Sequence, residues 1–242
     1  MCPNISECFS CGQATFLILG TNCTRQCLFC NIEKNSPQTV DGDEPARIAE
    51  AVARLKLSHV VITSPTRDDL TDGGVFHYSE TVASIRETSA GTRIELLIPD
   101  FQGLQQSLEG IVASRPDVIA HNLETVPRLY HVRSGADYQR SLDVLRQCHE
   151  LAPQIATKSG VMLGMGEDER EVEKVILDLR EVNCTYLSIG QYLAPSKKHY
   201  PVQEYVPPEV FARLRQLSLH AGFLHVESGP YVRSSYHAGL YI

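Results

Sequence analysis

Short β-forming runs alternate with helical patterns along most of the chain. The β-forming runs cover residues 15–20, 59–64, 93–98, 117–122, 157–163, 186–192 and 223–226. Two of the intervening segments carry apolar residues at the spacing of one helix face: Ile48, Ala51, Val52 and Leu55, and then Val172, Val175, Ile176 and Leu179. Strands that alternate with helices of this length form parallel sheets with right-handed crossovers. The pattern predicts an α/β fold, either an open doubly wound sheet or a full or partial barrel.

Two pieces lie outside this alternation. Residues 1–12 are rich in cysteine and too short for a domain, and residues 229–242 form a tail that opens with Gly-Pro. We therefore divide the chain into an N-terminal segment (1–12), a barrel (13–228) and a C-terminal tail (229–242). Within the barrel, Asp43-Glu44-Pro45 has the acidic residues and early proline of a helix start.

Composition narrows the functional classes. The 242 residues are 43% hydrophobic, enough for one domain with a sizeable core. A net charge of −7 without a basic stripe argues against nucleic acid as a partner. The chain has no apolar run of about 20 residues, the length of a membrane helix, and no signal-like start. We expect a cytoplasmic location and no membrane association.

The cysteines are unevenly distributed. Six of the eight lie in the first thirty residues: Cys2, Cys8, Cys11, Cys23, Cys27 and Cys30. A disulfide scaffold suits a cytosolic chain of this size poorly, so a metal or cluster site is favoured. Cys148 and Cys184 stand alone, and we expect both to be buried as small hydrophobic residues.

The stretch CTRQCLFC, from Cys23 to Cys30, follows the first β-forming run. In parallel α/β folds, binding sites form at the carboxyl ends of the strands. The CxxxCxxC spacing lets one loop wrap three thiolates around a [4Fe–4S] cluster, which leaves one iron open to a small molecule. A structural zinc with a distant fourth ligand, or cysteines buried without metal, are the alternatives.

CxxxCxxC after the first strand of a βα series resembles the radical S-adenosylmethionine (SAM) superfamily. The resemblance implies a partial (β/α)6 TIM-like barrel with short terminal extensions. It also implies that the open iron is chelated by the amino and carboxylate groups of SAM.

Eight further strings, in the same order as in that family, resemble the lipoyl synthases. They are CPNISEC (2–8), ATFLILG (14–20), RDDLTDGG (67–74), HNLETVPRLY (121–130), VRSGADYQRSL (132–142), TKSGVMLGMGE (157–167), GQYLAPSKKHYPV (190–202) and SGPYVRSSYHA (228–238).

By this resemblance, two strings line the SAM site, with Asn122, Glu124, Lys158, Gly160, Gly164 and Glu167 as the contacts. Considered without it, the polar group at 121–124 fits a loop cap equally well, and residues 160–167 fit a strand-to-helix turn better. Arg67-Asp68-Asp69 by itself indicates an ion-pair cluster on a loop.

The resemblance also implies an auxiliary [4Fe–4S] cluster, with Cys2, Cys8 and Ser235 as ligands. The family pattern CxxxxCxxxxxC has a further cysteine five residues before Cys2. Three sources for that ligand are open: Cys11, an upstream cysteine, or a partner protein. Serine oxygen is a harder and weaker iron ligand than thiolate, which suits a cluster that is dismantled. Without the resemblance, Ser235 would be read as part of a turn.

The activity implied is sulfur insertion at C6 and C8 of an octanoyl chain, by a 5′-deoxyadenosyl radical with the auxiliary cluster as sulfur donor. The partners implied are an octanoylated lipoyl carrier domain or H-protein, and a low-potential electron donor such as ferredoxin or flavodoxin. No residue needs to act as acid or base, because the cofactors carry the chemistry. The alternatives are one half of a two-protein synthase that inserts a single sulfur, another radical SAM sulfurtransferase, and a non-catalytic Fe–S or zinc protein.

Overall fold

The computed structural model describes residues 4–240 and contains one seven-stranded parallel sheet in the order β1-β2-β3-β4-β5-β6-β7. The strands are β1 Gln13–Leu17, β2 His59–Thr63, β3 Arg93–Leu97, β4 Val118–Ala120, β5 Ala156–Leu163, β6 Tyr186–Gln191 and β7 His225–Gly229. Each strand pairs with the next one along the chain, which is the topology of a partial barrel.

Seven α-helices accompany the strands within residues 4–240. They are α1 Ile5–Ser10, α2 Glu44–Leu55, α3 Val75–Thr88, α4 Gln105–Ala113, α5 Tyr138–Leu151, α6 Glu169–Glu181 and α7 Pro208–His220. Helix α1 precedes β1, and each of the others lies in one crossover, so six βα units are followed by a final strand. The predicted α/β partial barrel is confirmed. No helix within residues 4–240 combines the length and apolar character needed to cross a bilayer.

The strands have two faces, because successive side chains point in opposite directions. On β3, Ile94 and Leu96 pack into a hydrophobic cluster with residues of α2 and α3. Glu95 and Leu97 face the barrel interior, where Leu97 packs beside a small cluster that includes Val61 and Val118. The helix-facing side therefore supplies most of the core, and the interior face is left for sites.

Helix α6 follows the sequence pattern closely. Val172, Val175, Ile176 and Leu179 are all buried, as their spacing predicts. Asp168 caps the helix by accepting a hydrogen bond from the Glu171 backbone, and the Glu171 carboxylate bonds back to the Asp168 amide. Cys148 and Cys184 are both fully buried, which confirms the expectation for them.

Helix α2 begins beside Asp43 as expected, but its buried face differs from the predicted one. The buried residues are Pro45, Ala49 and Val52. Leu55 is 53% exposed, because it occupies the last turn, where Lys56 ends the helix in a left-handed conformation.

Several strands begin or end at residues other than those predicted. β1 runs over residues 13–17 rather than 15–20, because Leu19 and Gly20 adopt positive φ and leave the sheet. β4 contains three residues rather than six, and the last strand begins at His225 rather than at Phe223. The shortened β4 leaves His121 and Asn122 beyond the strand end, where side chains can reach a ligand.

Candidate functional site

Cys23, Cys27 and Cys30 lie on the loop after β1 and are all half-buried. The loop is fixed by backbone hydrogen bonds: Cys23 N to Glu33 O (2.8 Å) and Leu28 N to Val132 O (2.8 Å). The three cysteines border one cavity of about 270 Å³ at the carboxyl ends of the strands. The spacing in the sequence thus brings the three cysteines to one space, as predicted.

Arg25, in the same loop, forms ion pairs that connect three loops. Its guanidinium donates to Asp68 after β2 (Nε–Oδ2 2.9 Å) and to Asp100 after β3 (Nη2–Oδ1 2.6 Å). Burial opposes charge on Arg25, but hydrogen bonds and attraction from the two carboxylates outweigh it and raise the Arg25 pKa above its ordinary value. The cysteine loop is therefore anchored to its neighbours by buried ion pairs.

Arg67 and Asp69 form an ion pair with 2.8 Å between Nη2 and Oδ2, as their sequence indicated. Arg67 also donates to the Leu19 carbonyl. Asp68, between them, takes part in the Arg25 network instead.

Asn122, Glu124 and Gly160 meet at a second cavity, of about 300 Å³, which adjoins the cysteine cavity. Glu124 continues the sheet beyond β4, since its amide donates to Gly160 O (2.9 Å) and its carbonyl accepts from Met162 N (2.8 Å). Asn122 and Glu124 border both cavities, and Gly160 borders the second. A Cβ on Gly160 would lie 2.8 Å from Asn122 Oδ1, so glycine is required for this close approach.

Burial is the main cause of the pKa shifts in this region. Burial raises the pKa of the Cys27 and Cys30 thiols, and Arg133 works against that rise at Cys27. Burial also raises the pKa of Glu124, which Arg133 again opposes. Burial, followed by repulsion from Arg133, lowers the pKa of His121 to about 4, so its imidazole is neutral at pH 7.

Three other residues predicted to contact SAM border neither cavity: Lys158, Gly164 and Glu167. Lys158 lies in the barrel interior, where Nζ contacts both carboxylate oxygens of Glu95 at 3.0 and 3.1 Å. Glu167 accepts hydrogen bonds from the amides of Gly164 and Met165. Gly164 and Glu167 therefore form the strand-to-helix turn that the sequence favoured without the resemblance.

A third cavity, of about 270 Å³, opens at the amino ends of β1 and β2. Cys8 from α1 and Ser235 from the tail both border it, although 227 positions separate them in the sequence. Cys11 is exposed and is not among the bordering residues. Cys2 lies outside the described residues.

The two terminal segments hold each other at this cavity. The Tyr236 hydroxyl lies 3.2 Å from both carboxylate oxygens of Glu7, and His237 Nε2 lies 3.0 Å from Glu7 Oε1. Asn4 Nδ2 donates to Tyr231 O at 2.8 Å. Cys8 follows Glu7 and Ser235 precedes Tyr236, so these contacts fix the cavity walls.

The donor chemistry fits an iron–sulfur cluster at the first cavity. Three half-buried thiols on one short loop border it, and thiolates are the ligands that such clusters use. In residues 4–240, no three His, Cys, Asp or Glu side chains converge closely enough to hold a single metal ion. A cube makes no such demand, since each thiolate binds a different iron.

Comparison with known proteins identifies the class first. The sequence model of the Radical SAM superfamily matches residues 17–179. A methylornithine synthase structure matches with TM-score 0.63 at 15% identity, over 94% of this chain and 76% of that chain. A structure of SuiB from Streptococcus suis bound to S-adenosylmethionine also has TM-score 0.63, at 13% identity, over 86% of this chain and 46% of that one. These two structural likenesses establish the fold alone.

Similarity in sequence is much closer to particular relatives. Lipoyl synthase of Trichlorobacter lovleyi is 66% identical over all of this chain and 86% of its own length. Lipoyl synthase of Geobacter sulfurreducens is 64% identical over 99% of this chain and 79% of its own length. The chain belongs to the lipoyl synthase family of radical SAM enzymes. It is an enzyme of the sulfur-inserting type, with SAM and an iron–sulfur cluster as cofactors, as the sequence indicated.

Sequence reasoning missed several residues around the first two cavities: Arg25, Phe29, Asp100, Arg133 and Ser188. Arg25 and Phe29 carried one available signal, because both lie inside the three-cysteine motif itself. Asp100, Arg133 and Ser188 are distant from it in the sequence and had no local signal.

Proposed function

We propose that this chain inserts sulfur at C6 and C8 of an octanoyl chain carried on a lipoyl carrier domain or H-protein. Cys23, Cys27 and Cys30 would hold a [4Fe–4S] cluster, and the protein would use a low-potential electron donor such as ferredoxin or flavodoxin. Cys8 and Ser235, with Cys2, hold a second, auxiliary cluster. When bound, the two clusters and SAM supply an adenosyl radical and the sulfur atoms.

The observation that carries the proposal is the succession of two cavities along the same face of β1 and β2. Leu17 and Thr63 border the cysteine cavity. Thr15 and Val61, two residues earlier on the same strands, border the Cys8–Ser235 cavity. Residues two apart face the same side and lie about 7 Å apart along a strand. The two sites therefore adjoin along the barrel interior, over a span that one acyl chain can reach.

Residues around the cysteine cavity and the adjoining cavity bind and orient SAM in this proposal. Asn122 and Glu124 offer an amide and a carboxylate to the ribose or amino group of SAM, and Gly160 permits close approach of the backbone. Phe29 and Leu97 border both the cysteine cavity and the adjoining cavity that Gly160 borders. Their apolar surfaces exclude water from the space where hydrogen abstraction takes place.

The roles of Lys158, Gly164 and Glu167 are structural in this proposal. Lys158 neutralises Glu95 inside the barrel. Gly164 and Glu167 shape the turn that leads into α6. None of the three offers a side chain to SAM.

The terminal segments act together in the proposal. The N-terminal segment contributes Cys8 and the tail contributes Ser235, and the Glu7 contacts join the two. The three parts of the chain, 1–12, 13–228 and 229–242, then serve as cluster segment, barrel and closing tail.

The test is iron and sulfide analysis after anaerobic reconstitution of the full chain. Two [4Fe–4S] clusters correspond to about eight irons per chain. We expect the Cys23→Ala, Cys27→Ala, Cys30→Ala triple variant to retain about four irons and to lose cleavage of SAM. The Cys8→Ala variant should also retain about four irons per chain, but it should still cleave SAM.

Cys11→Ala is the matched control, since Cys11 lies on the same segment but does not border the cavity. It should retain about eight irons. About four irons in the wild type would contradict the two-cluster proposal. With an octanoyl-lysine peptide as substrate, a product with one sulfur only would favour the single-sulfur alternative.

A further inference from the structure

Leu28 is an exposed apolar residue inside the cysteine loop. Its neighbours Cys27 and Phe29 border the cysteine cavity, whereas Leu28 does not, and 45% of its surface is exposed. Its backbone is fixed at both ends, because the amide donates to Val132 O at 2.8 Å and the carbonyl accepts from Tyr200 N at 2.9 Å. The Leu28 side chain is therefore held in solvent beside a thiol of the motif.

Two exposed lysines lie close to Leu28. Lys197 and Lys198 are three and two positions before Tyr200, whose amide contacts the Leu28 carbonyl. The turn that carries them is held by the Ser196 hydroxyl, which accepts from the Lys198 amide at 3.2 Å. The loop after β6 thus brings two positive charges to the edge of the cysteine loop.

A third exposed lysine, Lys34, lies later in the cysteine loop itself. Its positive charge opposes the rise that burial causes in the pKa of Cys30, so it lies near enough to act on that thiol. Residues 26–34 and 196–200 contain these three lysines and one carboxylate, that of Glu33. None of the three lysine side chains forms an ion pair in the described part of the chain.

A second exposed apolar residue lies at the same rim. Leu193 is 47% exposed, and it borders the adjoining cavity together with Phe29. Exposed apolar side chains with charged residues around them are typical of a surface that contacts another protein. We name this feature the Leu28 surface; it consists of Leu28, Lys34, Leu193, Lys197 and Lys198.

We propose that the Leu28 surface docks an acidic electron-donor protein, of the ferredoxin or flavodoxin class. The reduced donor loses one electron, and the cluster proposed at Cys23, Cys27 and Cys30 gains it. The inference rests on the proposed function, because it needs that cluster and its donor.

Charge and position support this occupant. The whole chain has a net charge of −7, so an acidic partner is repelled by most of the molecule and attracted by the three lysines. Such a contrast orients the encounter of two proteins and accelerates it. A small apolar centre with charges around it also suits the small, transient interfaces of electron-transfer partners.

The carrier domain is the competing occupant of this surface. An acyl chain on a flexible lysine can reach the barrel from a carrier that is docked elsewhere on the rim. Electron transfer, in contrast, weakens steeply with distance, so the donor must approach the thiols closely. The position of Leu28 next to Cys27 therefore favours the electron donor.

The experiment uses the full chain after anaerobic reconstitution. One variant combines Lys197→Glu with Lys198→Glu, and a second is Leu28→Ser. The control combines Arg54→Glu with Arg93→Glu, which makes the same change in charge at exposed positions near the amino ends of the strands. Binding of an acidic flavodoxin in its oxidised form is measured by biolayer interferometry at low and at high salt. SAM cleavage is measured with reduced flavodoxin and, separately, with dithionite.

We expect the double lysine variant to bind flavodoxin at least about tenfold more weakly than the wild type at low salt. The difference should shrink at high salt, because salt screens exposed charges. Leu28→Ser should weaken binding at both salt concentrations, and the arginine control should bind as the wild type does. With dithionite, all four proteins should carry the same iron and cleave SAM at the same rate, since a small reductant needs no docking surface.

Equal flavodoxin affinity in the double lysine variant and the control would overturn the docking surface. Normal flavodoxin binding, combined with slower product formation at limiting octanoylated carrier domain, would assign the surface to the carrier and would overturn the electron donor as its occupant. Absence of dithionite-driven SAM cleavage in the wild type would contradict the proposed cluster itself. The failure of the inference is thus distinguishable from the failure of the proposed function.

Discussion

The Nη2 atom of Arg25 lies 2.6 Å from Oδ1 of Asp100, and Nη1 lies 3.0 Å from Oδ2. This two-point contact joins the cysteine loop after β1 to the loop after β3. Arg140 approaches the same carboxylate, with Nε 3.3 Å from Oδ2. Asp100 is thus a shared buried anchor, and its partners determine how firmly the cysteine loop is held.

Replacement of Arg25 by methionine should destabilise the protein by about 3 kcal/mol, the usual cost of removing one partner from a buried ion pair. The reason is that Asp68 and Asp100 both lose their main cation. Urea unfolding followed by circular dichroism measures the change. Arg213→Met is the control, because it breaks an exposed pair with Glu169 and should cost at most about 1 kcal/mol. Equal costs for the two variants would refute the anchoring role.

The same network predicts acid sensitivity. Burial alone would raise the pKa values of Asp68 and Asp100, but the hydrogen bonds and charge of Arg25 hold both below their ordinary value. A lowered pKa stabilises the fold above the unfolded-state pKa of about 3.9, and that stability is lost as the pH falls through the folded-state values. The free energy of unfolding should therefore decline below about pH 4.

Asp100→Asn should flatten this acid decline, since the group no longer titrates. Asp43→Asn, at an exposed helix start, should leave the slope as in the wild type. Urea unfolding at a series of pH values gives both slopes. An unchanged slope in Asp100→Asn would show that other carboxylates govern acid unfolding.

Gly160→Ala should weaken SAM binding at least about tenfold, or about 1.4 kcal/mol, if Asn122 contacts SAM. The new Cβ would lie 2.8 Å from Asn122 Oδ1 and 2.9 Å from Ser188 Oγ, so both side chains must move. Calorimetric titration of the reconstituted enzyme with SAM measures the affinity. Gly91→Ala is the matched control, since its Cβ would meet nothing within 4 Å. The SAM assignment fails if both variants bind as the wild type does.

Glu7→Ala should loosen the C-terminal tail. It removes the acceptor for Tyr236 and His237, so amides of residues 231–240 should exchange hydrogen faster. Mass spectrometry of peptides after deuterium labelling measures this. The control is Glu80→Ala on the exposed side of α3, which should leave the tail unchanged. If the tail exchanges equally in both variants, the Glu7 contacts do not hold it.

Local patterns were informative where neighbours in the sequence are also neighbours in space. The apolar spacing of α6 predicted its buried face, and the CxxxCxxC spacing brought three cysteines to one cavity. The pattern was wrong at the end of α2, where Leu55 lies in the last turn and is exposed. Periodicity alone does not reveal which turns of a helix are buried.

By itself, the sequence determined the alternation of strands and helices, the cysteine loop and the family resemblance. The tertiary structure decided which distant residues meet. Strand alignment brought Arg25 to Asp100 and set Lys158 against Glu95 inside the barrel. Packing of α1 and of residues 235–238 at the amino ends of β1 and β2 brought Cys8 and Ser235 to one cavity. Secondary structure follows from interactions a few residues apart, whereas these contacts join residues on different strands and loops and depend on how the whole sheet is assembled.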